Sequence, residues 1–419
     1  MLGGRPRRRS LAKLAAMRKP SEAIADILDR IQPAGERESV ALAAAAGRVL
    51  ADEIFSDIDL PPFEKSAMDG YAVHSADFEG LEGPAELECL GESRAGVPFE
   101  GQVPRGSCTE IYTGAELSSG CDAVVMIEKS ERTGNRVRLD DRPTPNQHVS
   151  HRGEILKVGA AVMSPGRRLS SSDLSVLAAV GCDPVPVFTR PKITILTTGD
   201  ELVPASETPG IGQIREGNTL YLGAACRAVG CEVLAAEIVP DSESVLLERF
   251  GKALEDSTAV ITTGGVSMGK YDLVGAVFEK LGVEPILHKV AIKPGKPIWF
   301  GMHGKTPVFG LPGNPVSSLL GFQVFVRPAL ALLGGAGEKE QRERLRRGIW
   351  TGSTVRGQWR QQNLPAIVEQ GSDGADHLKP VSWLGSADMV GASLATALAV
   401  IPADTDIENG ESIHYRPLD

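Results

Sequence analysis

A chain of 419 residues, 42% hydrophobic and 23% charged, has the balance of a globular protein with enough material for several cores. Its net charge of −10 argues against nucleic acid as a partner, because only the first twenty residues offer a basic stretch. The six cysteines form no CxxC pair and read as reduced thiols of a cytoplasmic protein, and no apolar run reaches the length of a membrane span.

Residues 1–20 carry Arg5, Arg7, Arg8 and Arg9, but Lys13 interrupts the apolar segment that follows. Without an adequate apolar region, an export signal is not expected. Two readings remain: a basic arm, or sequence upstream of a natural start at Met17. Ser21 to Ile31 reads as an amphipathic helix, with Ile24, Ile27, Leu28 and Ile31 on one face and Ser21 as N-cap. Val40 to Leu50 reads as a second, alanine-rich helix, stopped by Pro61 and Pro62. From Asp69 to Val149, short β-like runs (71–73, 86–90, 110–112, 123–127, 137–139) are broken by Gly and Pro, which predicts a small β-rich domain. A helix at Ser172–Val180 is expected to pack beside the first helices. That makes the β-rich stretch 61–149 an insertion between 21–60 and 150–190.

Beyond Pro191, strands at 193–197, 233–239, 259–263 and 307–310 alternate with helices at 219–229, 244–254, 272–281 and 316–332. Such alternation predicts a doubly wound α/β domain over 191–334, with ligands beyond the C-terminal strand ends. The tail, 335–419, alternates short β runs with turns and reads as a C-terminal β domain. The expected fold is therefore a multidomain α/β and β protein.

The richest stretch is Ala259 to Asp272. An apolar strand gives way to a loop containing Gly264, Gly265, Val266, Ser267 and Gly269, and a helix follows. Strand, glycine loop and helix N-terminus together present backbone N–H groups to an anion. On its own the loop fits an ordinary βα turn equally well. It is neither a P-loop nor a dinucleotide fingerprint.

Carboxylates follow the neighbouring strands: Asp200 and Glu201 after the first, Asp241 after the second and Asp272 after the glycine loop. Each alone is more often a cap or turn residue. Two carboxylates about 4 Å apart repel by ~4 kcal/mol at an effective dielectric near 20. A cluster therefore calls for a cation or a raised pKa, and oxygen-only ligands favour Mg²⁺. Lys289, Lys293 and Lys296 complement them. If Lys289 to Lys293 is extended, those two side chains share a face, and the Pro294-Gly295 turn brings Lys296 near. A solvated basic edge strand is the competing reading. Gly310-Leu311-Pro312-Gly313-Asn314-Pro315 is a second strand–turn–helix junction, with Asn314 as the natural cap.

The motifs Ser66-Ala67-Met68-Asp69-Gly70-Tyr71, Thr113-Gly114-Ala115, Thr198-Gly199-Asp200-Glu201-Leu202, Gly264-Gly265-Val266-Ser267-Met268-Gly269, Ile292-Lys293-Pro294-Gly295-Lys296-Pro297 and Leu311-Pro312-Gly313-Asn314-Pro315 occur in one order. Together they resemble the molybdopterin molybdenumtransferases, the MoeA and gephyrin E-domain family, from Ser21 onward. The resemblance implies four domains and a homodimer whose cleft is shared between subunits. The implied reaction takes adenylylated molybdopterin and molybdate as substrates and, with Mg²⁺, releases AMP as molybdenum enters the pterin dithiolene. Molybdopterin adenylyltransferase and apo-molybdoenzymes are the implied transient partners.

Carried over, Asp69 and Thr113 come from the partner subunit. Asp69, Glu201, Asp241 and Asp272 are the catalytic carboxylates, the last three also Mg²⁺ ligands. Lys289 and Lys293 hold phosphate or molybdate, while Ser386 and Arg360 reach in from the C-terminal domain. Three positions depart from the family pattern: Lys65 for Asn, Ile155 for an acidic residue, and Glu216-Gly217-Asn218 for Asp-Ser-Asn, which removes a hydroxyl cap. A non-catalytic scaffold on the same fold and a tungsten-inserting paralogue are the alternatives.

Overall fold

The computed structural model describes residues 17–33, 35–265, 273–342 and 344–418. At its centre is a six-stranded sheet in the order Glu232–Val239, Lys192–Thr198, Ala259–Thr263, Thr306–Leu311, Trp299–His303, Glu284–His288. The first four strands are parallel and the last two antiparallel. The central strands, buried on both faces, are apolar and β-branched, with threonines at their C-terminal ends. Ile193, Ile195, Ala259, Ile261 and Phe309 face one core and Leu196, Val260 and Val308 the other. Helices Asn218–Ala228, Glu243–Asp256, Leu273–Lys280 and Pro315–Leu333 cover them. The doubly wound domain is thus as the alternation predicts.

The inserted domain is a six-stranded sheet in the order Ala123–Met126, Gly70–Val73, Ser107–Ile111, Ala85–Ser93, Arg136–Leu139, Ser130–Thr133. The chain on either side of it folds together: Arg37–Val40 pairs with Val185–Phe188, and Ile54–Phe55 with Ala161–Met163. In the C-terminal domain, Gln361–Gln370 pairs with both Asp376–Pro380 and Ala397–Ile401, and Arg346–Trp350 and Ser412–Pro417 complete the ring. The result is a closed five-stranded barrel around Trp350, Ile401 and Tyr415.

Four expectations are corrected. The alanine-rich segment 40–50 is not a helix. It is the end of a strand, a single 3₁₀ turn at Leu42–Ala44 and two bridges at Val49 and Leu50, with Gly47 at φ +72° between them. Pairing with Val185–Phe188 outweighs alanine's helix propensity, and Gly47 occupies a left-handed conformation that no helix allows. The first helix spans Pro20–Leu28, with Pro20 at its first turn, so Ser21 is inside it rather than the cap. That helix packs Ala23 and Ile27 into the α/β core, so the helix Ser171–Ala179 does not lie beside it but against the 42–44 turn. Finally, Pro315–Leu333 is long and apolar enough to cross a membrane, but 89% of its most apolar window is buried inside the fold. It is a core helix.

That helix contains a π turn, Phe322–Val326. Pro328 explains it: the residue has no N–H for the carbonyl four positions back, and its ring would press on that carbonyl, so the preceding turn widens. Phe325 in this turn is wholly buried in the largest core. Phe325→Ala is therefore expected to lower unfolding stability by about 3–5 kcal/mol, whereas Ile211→Ala at a fully exposed site stays within about 0.5 kcal/mol. Denaturant titration of both variants measures the contrast.

Candidate active site

A cleft of about 740 Å³ opens at the C-terminal ends of the three central parallel strands. Thr197 and Thr198 end the first, Thr263, Gly264 and Gly265 the second, and Pro312, Gly313 and Asn314 follow the third. The chain turns from Lys192–Thr198 outward to Glu232–Val239 and then back to Ala259–Thr263 on the opposite side. The cleft therefore sits at a topological switch point.

Gly264 makes this crowding feasible. Its φ is +82°, and a Cβ there would lie 2.2 Å from the Thr198 carbonyl oxygen. No other residue lets the two strand ends approach so closely. Asn218 locks the third side: its Nδ2 donates to the Gly313 carbonyl at 2.8 Å and to Thr263 Oγ1 at 3.3 Å. Asn314 begins the long helix, as the sequence suggests, but does not cap it with its side chain. Instead Asn314 Nδ2 donates to Ser386 Oγ at 2.9 Å, and the Val316 N–H donates to the Ser386 carbonyl at 3.0 Å. Ser386 of the C-terminal domain is thereby fixed beside the cleft, whose wall includes Ala387 and Met389.

Glu201 lines the cleft, and its carboxylate packs where a Cβ on Gly199 would stand. The Asp241 N–H donates to Asp200 Oδ1 at 3.0 Å. Partial burial, followed by the negative charges of Asp200 and Glu201, raises the Asp241 carboxyl above its ordinary value. Among the described residues no three His, Cys, Asp or Glu side chains are grouped to hold a metal ion, and Asp272 lies outside those residues. Asp200, Glu201 and Asp241 are oxygen donors near enough to raise one pKa, the donor chemistry a hard cation prefers, but of the three only Glu201 lines the cleft. The Thr198 hydroxyl, buried in the cleft wall, lies beside the Asp241 carboxyl and opposes part of that rise.

Other predicted residues are placed differently. Lys289 has φ +69°, so 289–293 is not one extended segment, and the shared face of Lys289 and Lys293 does not form. The segment folds back on itself through Lys289 N–H to Ile298 and Val290 N–H to Lys296 carbonyls. Only Ile292–Lys293 is a strand, and it pairs with Gln361–Gln362 of the barrel rather than the central sheet. Lys293 Nζ is exposed and donates to Gln358 Oε1 at 3.1 Å. Arg360 lies over Trp359 and donates to the Ile292 carbonyl at 3.3 Å. It is thus next to Lys293 on the barrel side, and neither lines the cleft.

Asp69 and Thr113 meet each other in the inserted domain. Asp69 Oδ1 accepts the Thr113 N–H at 2.7 Å and its hydroxyl at 2.8 Å. These bonds, the backbone one first, hold the Asp69 carboxyl below its ordinary value. The pair is exposed and does not line this chain's cleft. Val266, Ser267, Gly269 and Asp272 lie outside the described residues.

Sequence reasoning missed Arg215, Asn218 and Tyr221, all in the cleft wall. Asn218 stands in the Glu216-Gly217-Asn218 segment, which the sequence marks only as a departure. There, too, the lost hydroxyl cap is replaced: the buried Glu216 carboxylate accepts the Thr219 N–H at 2.9 Å and pairs with the Thr219 hydroxyl.

The fold and cleft define a four-part chain whose α/β domain gathers glycine-rich strand ends and a carboxylate around one cleft. Residues 18–181 match the MoeA N-terminal region (domain I and II), and residues 194–332 match a probable molybdopterin binding domain. A molybdopterin molybdenumtransferase of Nostoc sp. is 35% identical over 77% of this chain and 75% of its own length. Another, of Haemophilus influenzae, is 37% identical over 75% and 77%. The crystal structure of a molybdopterin biosynthesis MoeA protein from Pyrococcus horikosii superposes with a TM-score of 0.83 at 29% identity, covering 96% of this chain and all of that one. The chain belongs to the MoeA family, the molybdopterin molybdenumtransferases.

Asp241 and Asp69 have opposite pH signatures. The folded-state pKa of Asp241 is raised, so its contribution to stability is complete below the unfolded value of 3.8 and is lost as pH rises through the folded value. That of Asp69 is lowered, so its contribution is present above 3.8 and is lost as pH falls through the folded value. In metal-free buffer, Asp241→Asn is expected to raise the thermal midpoint at pH 7 and Asp69→Asn to lower it, with both differences shrinking toward pH 3. A lower midpoint for Asp241→Asn at pH 7 contradicts the repulsion.

Proposed function

We propose that this chain inserts molybdenum from molybdate into adenylylated molybdopterin, with Mg²⁺-dependent release of AMP. The observation that carries the reading is the cleft itself, together with the family to which the chain belongs. Glycine backbone at Gly264, Gly265 and Gly313 and the start of a 19-residue helix converge at the strand ends, with carboxylates on the rim. Backbone N–H groups and a helix N-terminus stabilise phosphate oxygens, and no Cβ stands in their way.

In this reading Asn314, held by Ser386, orients the ligand. Glu201 and Asp241, with Asp272, hold Mg²⁺, which supplies charge neutralisation for the leaving phosphate. Lys289, Lys293 and Lys296 offer ammonium groups to phosphate or molybdate, and Arg360 beside Lys293 extends that basic surface. The exposed Asp69–Thr113 pair does not line its own chain's cleft, which suits a site completed by a second copy. The protein then works as a homodimer in the cytoplasm, receiving substrate from a molybdopterin adenylyltransferase and passing product to apo-molybdoenzymes.

The decisive test incubates purified protein with adenylylated molybdopterin, Mg²⁺ and molybdate and follows AMP and metal loading of a molybdoenzyme. Molybdate-dependent AMP release is expected. Its absence sinks the reading and leaves a binding or scaffold role, and a parallel reaction with tungstate reads the metal preference. Asp272→Asn and Lys293→Ala should each abolish loading while the dimer persists. A monomer-sized mass at micromolar concentration contradicts the shared cleft.

A further inference from the structure

The cleft uses the first turn of helix Asn218–Ala228, while later turns of the same helix line a second cavity of about 410 Å³. Tyr221 lines both. The second cavity gathers Arg168, Arg327 and Arg344 against a single carboxylate, Glu340. Arg168 already has partners: its Nε donates to Glu340 at 2.7 Å and its Nη1 to the Gly47 carbonyl at 2.9 Å. Arg327 does not. It is only 7% exposed, and its guanidinium makes no hydrogen bond or ion pair among the described residues.

Burial, then the positive charges of Arg344 and Arg168, brings its pKa down to about 10, so it stays protonated at neutral pH. The Tyr221 hydroxyl is also buried, with the Gln323 side chain beside it. Phe322 and Gln323 belong to the π turn, which aims them into the same cavity. A buried, unpaired guanidinium is costly to a fold. A buried arginine without a hydrogen-bond partner, two further arginines, a single carboxylate and a buried hydroxyl around an open cavity are the donor set of an anion site.

We propose that this cavity is a second anion site, which takes a phosphate group on Arg327, in the positive field of Arg168 and Arg344, with the Tyr221 hydroxyl as a further donor. The site is independent of the reading of the cleft, but Tyr221 and the two helices that border both spaces place it where its occupant meets the cleft wall. The phosphate is either inorganic or the monoester of a mononucleotide, whose remaining atoms then lie along the apolar wall at Phe322.

Calorimetric titration of inorganic phosphate and of AMP into the full chain tests this, using Asn314→Ala, a change in the cleft wall, as the background so that binding in the cleft is weakened. At least one of the two should bind. Arg327→Met should weaken that binding about ten- to hundredfold, and Arg327→Lys should restore part of it. Tyr221→Phe, which removes only the hydroxyl, should weaken it severalfold. In anion-free buffer Arg327→Met should melt above the wild type, because an unpaired buried charge is gone. Equal affinity for both ligands identifies free phosphate, and a preference for AMP identifies a nucleotide. Binding of neither, or binding that Arg327→Met and Tyr221→Phe leave unchanged, overturns the proposal.

Discussion

The approach of two parallel strand ends is the constraint on which the rest depends. Lys192–Thr198 and Ala259–Thr263 finish so close together that only a glycine in a left-handed conformation fits at position 264. Because they finish there, Thr198, Thr263, Gly264 and Gly265 share one floor. Asn218 then cross-links that floor to Gly313, which sets where the long helix starts. Ser386, arriving from the C-terminal domain, is hydrogen-bonded to the first residues of that helix. The cleft is thus a consequence of backbone packing before any charged side chain enters it.

Electrostatics then divides the molecule. The carboxylates collect at the rim of the cleft, where Asp200, Glu201 and Asp241 repel one another. The arginines collect around the second cavity, where Arg327 and its neighbours do the same with opposite sign. The carboxylates follow strands packed into large apolar cores, and Arg327 stands on a helix packed into one of them. An overall charge of −10 conceals such local contrasts.

Much of this was legible in the sequence where pattern and chemistry coincide. The α/β alternation, the inserted sheet and the β tail follow from periodicity and glycine placement. Gly264, Gly265, Glu201 and the Pro312–Asn314 turn are all in the cleft because strand-to-helix junctions at one sheet edge must converge. What periodicity could not convey was pairing across distance. The segment 40–50 has helical composition but pairs with residues 185–188. Lys289 and Lys293 are spaced for a strand, yet a left-handed backbone at Lys289 separates them. Asn218 and Tyr221 were missed because an amide and a phenol in a helix carry no local signature of the cavity they face. Arg327 likewise reads as an ordinary helical arginine until the surrounding burial is seen.

The π turn at Phe322–Val326 has a consequence for how the helix Pro315–Leu333 can vary. A widened turn holds one residue more than an α turn, so losing a single residue there would close it to an α turn with the flanking turns still in phase. Losing one from the α turns before it would instead rotate everything downstream by about 100°, and Arg327 would swing out of its cavity while Asn314 and Pro315 kept their place at the cleft. The widened turn is thus where this helix can absorb a change of length and still furnish both cavities.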